Sequence, residues 1–198
     1  MYIKILNLTE GSNIYTCNAY LVTGSWNTFD DINALIDAGR DPAIIQIINN
    51  ASTGVGKHKV DKVVLTHCHY DHAGMAAAIK EEFNAKVFAY TPSLPYVDQV
   101  LKDGEMIKIG DDYFEVIYTP GHSNDSICLY NQKEKLLFAG DSPLIITSAD
   151  CNYGEEFSRV LERLTKLEID TIYFGHGKPM TEKCKEVLLK SFNLIKVR

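Results

Sequence analysis

The sequence predicts an α/β fold in which two β-sheets pack face to face and helices cover both outer faces. Short β-rich runs alternate with helical stretches in the first half of the chain, and the second half reads as a β-meander followed by helix, strand and helix. Two sheets enclosed by helices bury the apolar faces of these elements most simply. A length of 198 residues, 45% of them hydrophobic, suits one buried core, so we expect a single domain over residues 1–198.

The first half of the chain supplies strands separated by two helical stretches. Pro42 marks a helix start, because proline is favoured at the first helical position. The strand at 62–66 runs straight into a cluster of histidines, and an Ala-rich stretch predicts a helix directly after it. The cluster therefore lies where a strand turns into a helix, a common position for an active site. The predicted strands are 2–8, 19–23, 33–37, 62–66 and 86–90, and the predicted helices are 42–50 and 72–83.

The second half begins with four β-rich runs whose spacing predicts a meander. Turn-forming residues lie at Gly110–Asp111 and over 131–134. A helix, a strand and an amphipathic helix complete the chain. The meander strands are 105–109, 113–119, 126–130 and 136–139, and the later elements are a helix over 154–167, a strand over 171–174 and a helix over 181–195.

Composition restricts the compartment and the partners. The five cysteines are odd in number and form no C-x-x-C pair, so we expect reduced thiols. A formal charge of −6 with interspersed signs disfavours nucleic-acid binding. The opening residues lack the apolar stretch of a secretory signal, and no apolar run is long enough to span a bilayer. We expect a soluble, cytoplasmic protein without a membrane partner, and the sequence leaves its oligomeric state open.

Four potential metal ligands lie within the short motif H-x-H-x-D-H. His67 and His69 are two residues apart, so on an extended segment both point the same way and could bind one ion. Asp71 and His72 follow where the chain turns. Four ligands on one short loop would crowd each other around a single ion. Two metals fit this motif better than one.

Three further residues repeat the pattern of a coordinating side chain after a strand. His122 stands in TPGHS, Asp141 in LLFAGDS and His176 in YFGHG. In each case a β-run is followed by a glycine and then by the potential ligand, as if several strands opened onto one edge. A two-metal site needs such ligands from elsewhere in the chain. The sixth histidine, His58, lies in a polar stretch and is assigned no role.

These motifs resemble those of the metallo-β-lactamase-fold hydrolase superfamily, and the chain is most similar to its small glyoxalase II-like (hydroxyacylglutathione hydrolase-like) members. The resemblance covers most of the chain. It implies an αββα sandwich of two mixed sheets flanked by helices, with the metals at one edge. The matching segments, in the order of the family, are CNAYLV (17–22), LIDAG (35–39), THCHYDH (66–72), TPGHS (119–123), FAGDS (138–142) and FGHG (174–177).

The resemblance also implies a ligand set for two divalent ions. Zinc is the first expectation, and iron or manganese would also accept histidine and aspartate. Asp37 matches a family aspartate that supports a ligand imidazole from behind. The implied ligands are His67, His69 and His122 for the first ion, Asp71, His72 and His176 for the second, and Asp141 as a bridge between them.

The implied chemistry is hydrolysis of a small-molecule substrate. Two ions a few ångströms apart would bind a bridging water and lower its pKa to about 7, which supplies hydroxide at neutral pH. Asp71 would orient that hydroxide and pass on a proton, and the second ion would take up the oxyanion charge. Thioesters, lactones and other activated esters suit this arrangement. Tyr153, 12 residues after Asp141, is a candidate for binding a substrate oxygen, as a tyrosine does in related lactonases.

Differences from the family's patterns restrict the expected substrate class, and two other functions remain open. The aspartate at position 141 argues against a true β-lactamase. A glutathione thioester is disfavoured, because the chain is too short for the helical domain of full glyoxalase II and lacks the Gly-Arg pattern after Asp141. One alternative is a persulfide dioxygenase that holds a single iron with His67, His122 and Asp141. Another is a metal-binding module without catalysis, which has less support because no expected ligand is missing.

Overall fold

The structure is a computed structural model that describes residues 3–25, 30–148 and 153–196. Tyr2, at the predicted start of the first strand, and Cys151, one of the five expected thiols, lie outside these ranges. The other four cysteines are free thiols: Cys17, Cys68, Cys128 and Cys184. Within the described residues, no helix is both long enough and apolar enough to cross a membrane.

The first sheet has six strands in chain order. Its first three strands pair antiparallel and the later ones pair parallel, so the sheet is mixed. Helices connect the first two parallel pairs of this sheet, as is usual for crossover connections. The strands are β1 (Lys4–Asn7), β2 (Tyr20–Thr23), β3 (Ala34–Ile36), β4 (Lys62–Val64), β5 (Lys86–Ala89) and β6 (Gln99–Val100), and the helices are α1 (Ala43–Asn50), α2 (Tyr70–Ala73) and α3 (Ala76–Phe83).

The second sheet has five strands in the order β11-β10-β9-β8-β7. The meander strands pair antiparallel, and the last strand pairs parallel to β10, so this sheet is mixed as well. The elements are β7 (Met106–Ile109), β8 (Asp112–Tyr118), β9 (Ile127–Asn131), β10 (Leu136–Gly140), α4 (Glu155–Thr165), β11 (Thr171–Phe174) and α5 (Cys184–Lys196).

Alternation of apolar side chains along the strands creates three hydrophobic layers. In β4, Val64 faces the core between the two sheets, whereas Val63 packs with α1 and α3 on the outer side. In β10, Phe138 faces the same central core and Leu137 packs with α4 and α5. Strands buried on both faces read as continuous apolar runs, as β9 and β10 do. These layers confirm the predicted sandwich of two mixed sheets between helices.

One predicted helix, over 72–83, is wrong in its bounds because the chain forms two helices there. The short helix α2 begins at Tyr70, two residues before the predicted start, and ends at Ala73. Neighbouring segments use the carbonyl groups that would continue it. Cys17 donates its N–H to the Asp71 carbonyl (3.2 Å) and Ala38 donates to the His72 carbonyl (2.7 Å). Asp71 and His72 therefore lie on a helical turn that is hydrogen-bonded to two other segments.

Two smaller differences have local causes. Helix α5 begins at Cys184 rather than at 181, because Lys183 has a φ of +57°, which a right-handed helix does not allow. The strand β6 was not predicted. Its two residues are both exposed at the edge of the sheet, so they carry no apolar alternation.

The sheet registers bring several strand ends to one edge. Ile36 pairs with Val64, so Asp37 follows β3 beside the start of the histidine cluster. Gly140 pairs with Phe174, so the residues after β10 and β11 emerge together. Carboxyl ends of parallel strands lie at the same side of a sheet, and open α/β sheets bind ligands there.

Candidate metal centre

Three histidines form the first cluster of potential ligands. Their ring nitrogens lie within 4.8 Å of one another. His67 Nε2 is 3.1 Å from His69 Nδ1, and His122 Nε2 is 2.9 Å from the same atom. His67 is buried, whereas His69 and His122 are exposed at the edge of the sandwich. The first two follow β4 and His122 follows β8, so two sheets contribute to this cluster.

Asp71, His72 and His176 form the second cluster, again with ligand atoms within 4.8 Å of one another. His176 Nε2 is 3.1 Å from Asp71 Oδ2, and His72 Nε2 is 3.9 Å from that oxygen. Asp71 and His72 lie on α2, whereas His176 follows β11. The second cluster therefore also joins the two sheets.

Asp141 lies between the two clusters. Its Oδ1 atom is 3.4 Å from His72 Nε2. Its Oδ2 atom is 3.6 Å from His122 Nε2, in the first cluster, and 3.5 Å from His176 Nε2, in the second. One carboxylate thus faces ligand atoms of both clusters, as a bridging ligand would.

The donor set fits two divalent ions. Ligand atoms held about 2.0–2.1 Å from a tetrahedral zinc ion lie about 3.4 Å apart, close to the nitrogen separations within the first cluster. Two ring nitrogens, of His67 and His122, approach the same atom, His69 Nδ1. A ring nitrogen carries either one N–H or one lone pair, so it cannot form a hydrogen bond with both. His72 Nε2 is buried and has no hydrogen-bond partner among the described residues. A buried polar atom without a partner is costly, and an ion in the second cluster would satisfy it.

Burial and charge set the protonation of these groups in the metal-free protein. Burial lowers the pKa of His67 to about 4 and also lowers the pKa of His122. Burial alone would lower the pKa of His72, but the carboxylates of Asp37 and Asp141 outweigh it and raise this pKa well above its usual value. Burial alone would raise the pKa of Asp141, but the nearby His72 ring, whose Nε2 is 3.4 Å from Oδ1, lowers it to about 2. His67 and His122 are therefore neutral at pH 7, as metal ligands must be.

Asp37 contacts the second cluster from behind. Its Oδ2 atom is 2.9 Å from His72 Nδ1, so that the opposite ring nitrogen faces Asp71 and Asp141. The carboxylate is itself held by Thr66, whose N–H donates to Oδ1 (2.7 Å) and whose hydroxyl donates to Oδ2 (2.8 Å). Both Asp37 and His72 are almost fully buried. The contact agrees with the role that the resemblance implies for Asp37, and its support of a metal ligand stays a prediction.

A third grouping of potential ligands is less suited to a metal. Cys17, Asp37 and His72 have ligand atoms within 4.8 Å of one another, and all three residues are buried. Burial raises the pKa of the Cys17 thiol to about 11, so it is not ionised at neutral pH. Metals bind the thiolate, and the Asp37 carboxylate is already engaged by Thr66.

Asp125 connects two of the ligand loops, and the sequence did not single it out. Its Oδ2 atom accepts a hydrogen bond from the backbone N–H of Cys68, between His67 and His69 (2.9 Å). Its Oδ1 atom accepts one from the hydroxyl of Ser123, next to His122 (2.7 Å). In the sequence, only its place three residues after His122 points to a role for Asp125 near the ligands. The other loop that it contacts is 57 residues away along the chain, so the sequence does not reveal that contact.

Asn18 fixes the loop that carries His176. Its side-chain amide donates to the carbonyl groups on either side of that histidine, at Phe174 (2.9 Å) and Gly177 (2.8 Å). Its backbone N–H donates to the Gly175 carbonyl (2.6 Å). The resemblance included this asparagine within CNAYLV but gave it no role.

An open cavity of about 300 Å³ adjoins both clusters. Its lining combines potential ligands with apolar side chains of the segments after β10 and β11, among them His122, Asp141, Pro143, Ile145, Phe174 and His176. Tyr153 packs instead against Phe157, with ring centroids 5.0 Å apart, and its role at a substrate stays a prediction. His58 is exposed and in none of the clusters.

Comparison with known proteins gives both sequence and structural relatives. A family model described as the metallo-beta-lactamase superfamily matches residues 13–176. A hydroxyacylglutathione hydrolase from Francisella tularensis subsp. novicida is 37% identical over 123 residues, which are 58% of this chain and 48% of that protein. A hydroxyacylglutathione hydrolase from Rhizobium etli is 32% identical over 154 residues, which are 72% of this chain and 56% of that protein. The chain thus spans about half the length of the curated relatives it matches.

The fold recurs in solved structures. The crystal structure of a beta-lactamase domain protein from Burkholderia ambifaria matches with a TM-score of 0.72 at 19% identity, over 98% of this chain and 73% of that chain. At such an identity the likeness concerns the fold, and function has to be argued from the site.

Proposed function

This chain belongs to the metallo-beta-lactamase superfamily, and on that premise we propose that it is a metal-dependent hydrolase. It uses two divalent ions, zinc foremost, with iron and manganese as the other metals its ligands accept. Its substrate is a small molecule with a thioester, a lactone or another activated ester bond. Two relatives named hydroxyacylglutathione hydrolases support a thioester.

One observation carries the proposal of two ions. Two triads of potential ligands, three histidines on one side and Asp71, His72 and His176 on the other, face a single carboxylate, Asp141. A mononuclear iron site held by His67, His122 and Asp141 would leave the second triad without a bound ion. The buried, unpartnered Nε2 atom of His72 favours an ion in that triad.

Different side chains of the site would serve different steps of hydrolysis. Bound divalent ions would supply hydroxide at neutral pH by lowering the pKa of a coordinated water to about 7. The Oδ2 atom of Asp71 is 3.1 Å from His176 Nε2, whereas its Oδ1 atom has no partner within the described residues. That Oδ1 atom would orient the attacking water and accept its proton. Asp37 holds the His72 ring so that Nε2 points into the site. Thioesters and lactones have good leaving groups, so this site needs no separate strong acid.

Metal content and turnover test the proposal together. The protein is produced in medium containing both zinc and iron, beside the variants His72→Ala and His176→Ala, and its metals are measured by mass spectrometry. We expect about two ions per chain in the wild type and about one in either variant. Turnover of a panel of thioesters and lactones should fall at least about 100-fold in both variants, as expected when a transition-state interaction is lost.

The exposed His58 provides the matched control, because His58→Ala removes a histidine outside both clusters. This variant should keep two ions and full activity. One iron per chain, insensitive to substitution of His72 or His176, would refute the dinuclear site. Oxygen uptake with persulfide substrates by such a protein would establish the dioxygenase alternative instead.

A further inference from the structure

A tyrosine and an arginine lie at the rim of the metal centre, and the proposed hydrolysis does not use them. The Tyr15 ring stacks on the His176 ring, with centroids 5.1 Å apart and an interplanar angle of 16°. Its hydroxyl oxygen is 3.5 Å from His176 Nε2, although 67% of the residue is exposed. The guanidinium carbon of Arg40 is 5.9 Å from the centroid of the same ring. Arg40 therefore lies one aromatic ring away from a proposed metal ligand.

Hydrogen bonds hold both residues in place. The segment after Tyr15 is tied to the His176 loop by the Asn18 N–H, which donates to the Gly175 carbonyl (2.6 Å). Arg40 donates its Nε–H to the Tyr15 carbonyl and its backbone N–H to the Thr16 hydroxyl (2.9 Å). A side chain fixed in this way loses less conformational entropy when it binds a ligand.

The charge of Arg40 is not neutralised within the described residues. Arg159 and Arg163 both form ion pairs with carboxylates, whereas no ion pair involves Arg40 in the described part of the chain. The neighbouring carboxylate, Asp41, accepts a hydrogen bond from Ser12 Oγ (2.6 Å) instead. The Nη atoms of Arg40 consequently remain available to donate, in the planar arrangement that matches a carboxylate or a phosphate.

The cavity beside His176 and Asp141 has a different character. Its lining includes the apolar side chains of Pro143, Ile145 and Phe174 but neither Tyr15 nor Arg40, and Ile145 is 50% exposed. A substrate that extended from this cavity to Tyr15 would thus meet an apolar surface at one end and a cation at the other.

We propose that Tyr15 and Arg40 form a recognition site for an anionic group, a carboxylate or a phosphate, at one end of the substrate, whose apolar other end occupies the cavity along Pro143 and Ile145. The guanidinium donates to the anion, while the Tyr15 ring supports it through a cation–π contact. This inference rests on the proposed function, because it names the substrate class of the same site. Arg40 is a binding residue in this account and takes no part in bond cleavage.

A pair of thioesters that differ only in charge tests the site. The first is S-butanoyl-mercaptohexanoate, and the second is its neutral carboxamide. For each protein the kcat/KM for the carboxylate is divided by that for the carboxamide. We expect this ratio to fall at least about tenfold in Arg40→Met, as for loss of one charge-assisted hydrogen bond, and to recover in part in Arg40→Lys. Arg159→Met is the matched control and should keep the wild-type ratio.

An equal loss on both thioesters would overturn the proposal, because it would mean that Arg40 only holds the Tyr15 segment in place. An unchanged ratio in Arg40→Met would overturn it as well. The ratio separates recognition of charge from any general effect of the substitution on folding or metal content.

Binding of a substrate analogue distinguishes failure of this inference from failure of the proposed function. The thioethers S-butyl-mercaptohexanoate and its carboxamide cannot be hydrolysed, and calorimetry with the zinc-loaded protein gives their dissociation constants. Tighter binding of the carboxylate, lost in Arg40→Met, would support the anion site even if no thioester is cleaved. Cleavage of both thioesters without any preference for the carboxylate in binding or turnover would uphold the hydrolase and refute the anion site.

Discussion

At the scale of single residues, His72 has the most strongly determined environment of the candidate site. Its ring is fully buried, with Nδ1 facing Asp37 and Nε2 facing Asp141. These two carboxylates raise its pKa, whereas His67 and His122 in the first cluster have lowered pKa values. The two clusters should therefore respond differently to pH, because a metal ion competes with protons for imidazole.

We expect the second ion to displace a proton when it binds. His72 is protonated at neutral pH in the metal-free protein because its pKa is raised, so affinity for this ion should increase as pH rises and deprotonates the ring. The first ion meets His67, whose pKa of about 4 leaves it neutral, so this ion should displace no proton from the His67 ring between about pH 6 and 8. Calorimetric titrations in buffers of different ionisation enthalpy measure this release. Equal proton release for both ions would contradict the assignment.

A second prediction at this scale concerns Asp125. Asp125→Ala removes both acceptors that connect the His67–His69 loop to the His122 loop. Groups that orient metal ligands typically account for 10- to 100-fold in affinity, so we expect a loss of about that size for the ion of the first cluster. Competition with a chelating dye measures it. The variant Asp170→Ala, at an exposed carboxylate far from the site in the fold, is the control, and equal affinities in the two variants would disprove the role.

At the scale of secondary structure, the ends of β10 and β11 approach closely enough to require glycine. A Cβ atom at Gly175 would clash with Asp141 Oδ1 and would lie 2.6 Å from His72 Cε1. The backbone φ of Gly175 is not positive, so the requirement is for space and not for an unusual conformation. The absence of a side chain at Gly175 lets the chain after β11 pass close to the Asp141 carboxylate, which faces both clusters.

We therefore expect Gly175→Ala to weaken metal binding more than it weakens the fold. The added methyl group displaces Asp141 or His72 from its present position, and a small displacement of a ligand is enough to lower metal affinity. The matched control is Gly154→Ala, since a Cβ there meets nothing within 4 Å. Metal stoichiometry and thermal unfolding are measured for both variants. Full occupancy of both sites in Gly175→Ala would contradict this explanation.

At the scale of the whole molecule, the candidate site joins the two sheets. The first sheet contributes His67, His69, Asp71 and His72, and the second contributes His122, Asp141 and His176. Three carboxylates, including Asp37, meet at this edge together with five imidazoles. Bound cations should stabilise the folded protein, because these ligand atoms converge only when the sheets are packed together.

Chelation should consequently lower the melting temperature. An ion at about 100 times its dissociation constant stabilises the folded state by roughly 2.7 kcal/mol, which corresponds to about 5–10 °C for a chain of this size. Scanning calorimetry before and after removal of metal measures the shift, and zinc addition should reverse it. His176→Ala should show a smaller shift than the wild type. Identical unfolding of the metal-loaded and metal-free proteins would contradict this coupling.

The sequence by itself determined the sandwich and the set of candidate ligands. The apolar pattern of a strand is local, so the run of Val63, Val64 and Leu65 already indicates that both faces are buried. The motif H-x-H-x-D-H likewise concentrates ligands within one loop. Because such patterns are local, they do not predict a helix boundary that depends on contacts with distant segments. The helix over 72–83 is broken by hydrogen bonds from Cys17 and Ala38, which belong to other segments of the chain. No pattern within the helix itself contains that information.

Only the tertiary structure decided which distant residues surround the candidate ligands. Asp125 reaches a loop 57 positions earlier, and Tyr15 stacks on a histidine 161 positions later. Such contacts depend on the packing of two sheets, and side-chain chemistry in one segment does not specify its partner in another. Whether the Arg40 guanidinium is free to bind an anion also depends on long-range packing, because packing decides where every nearby carboxylate lies. The ligands follow from local motifs, whereas the surroundings that select a substrate follow from long-range packing.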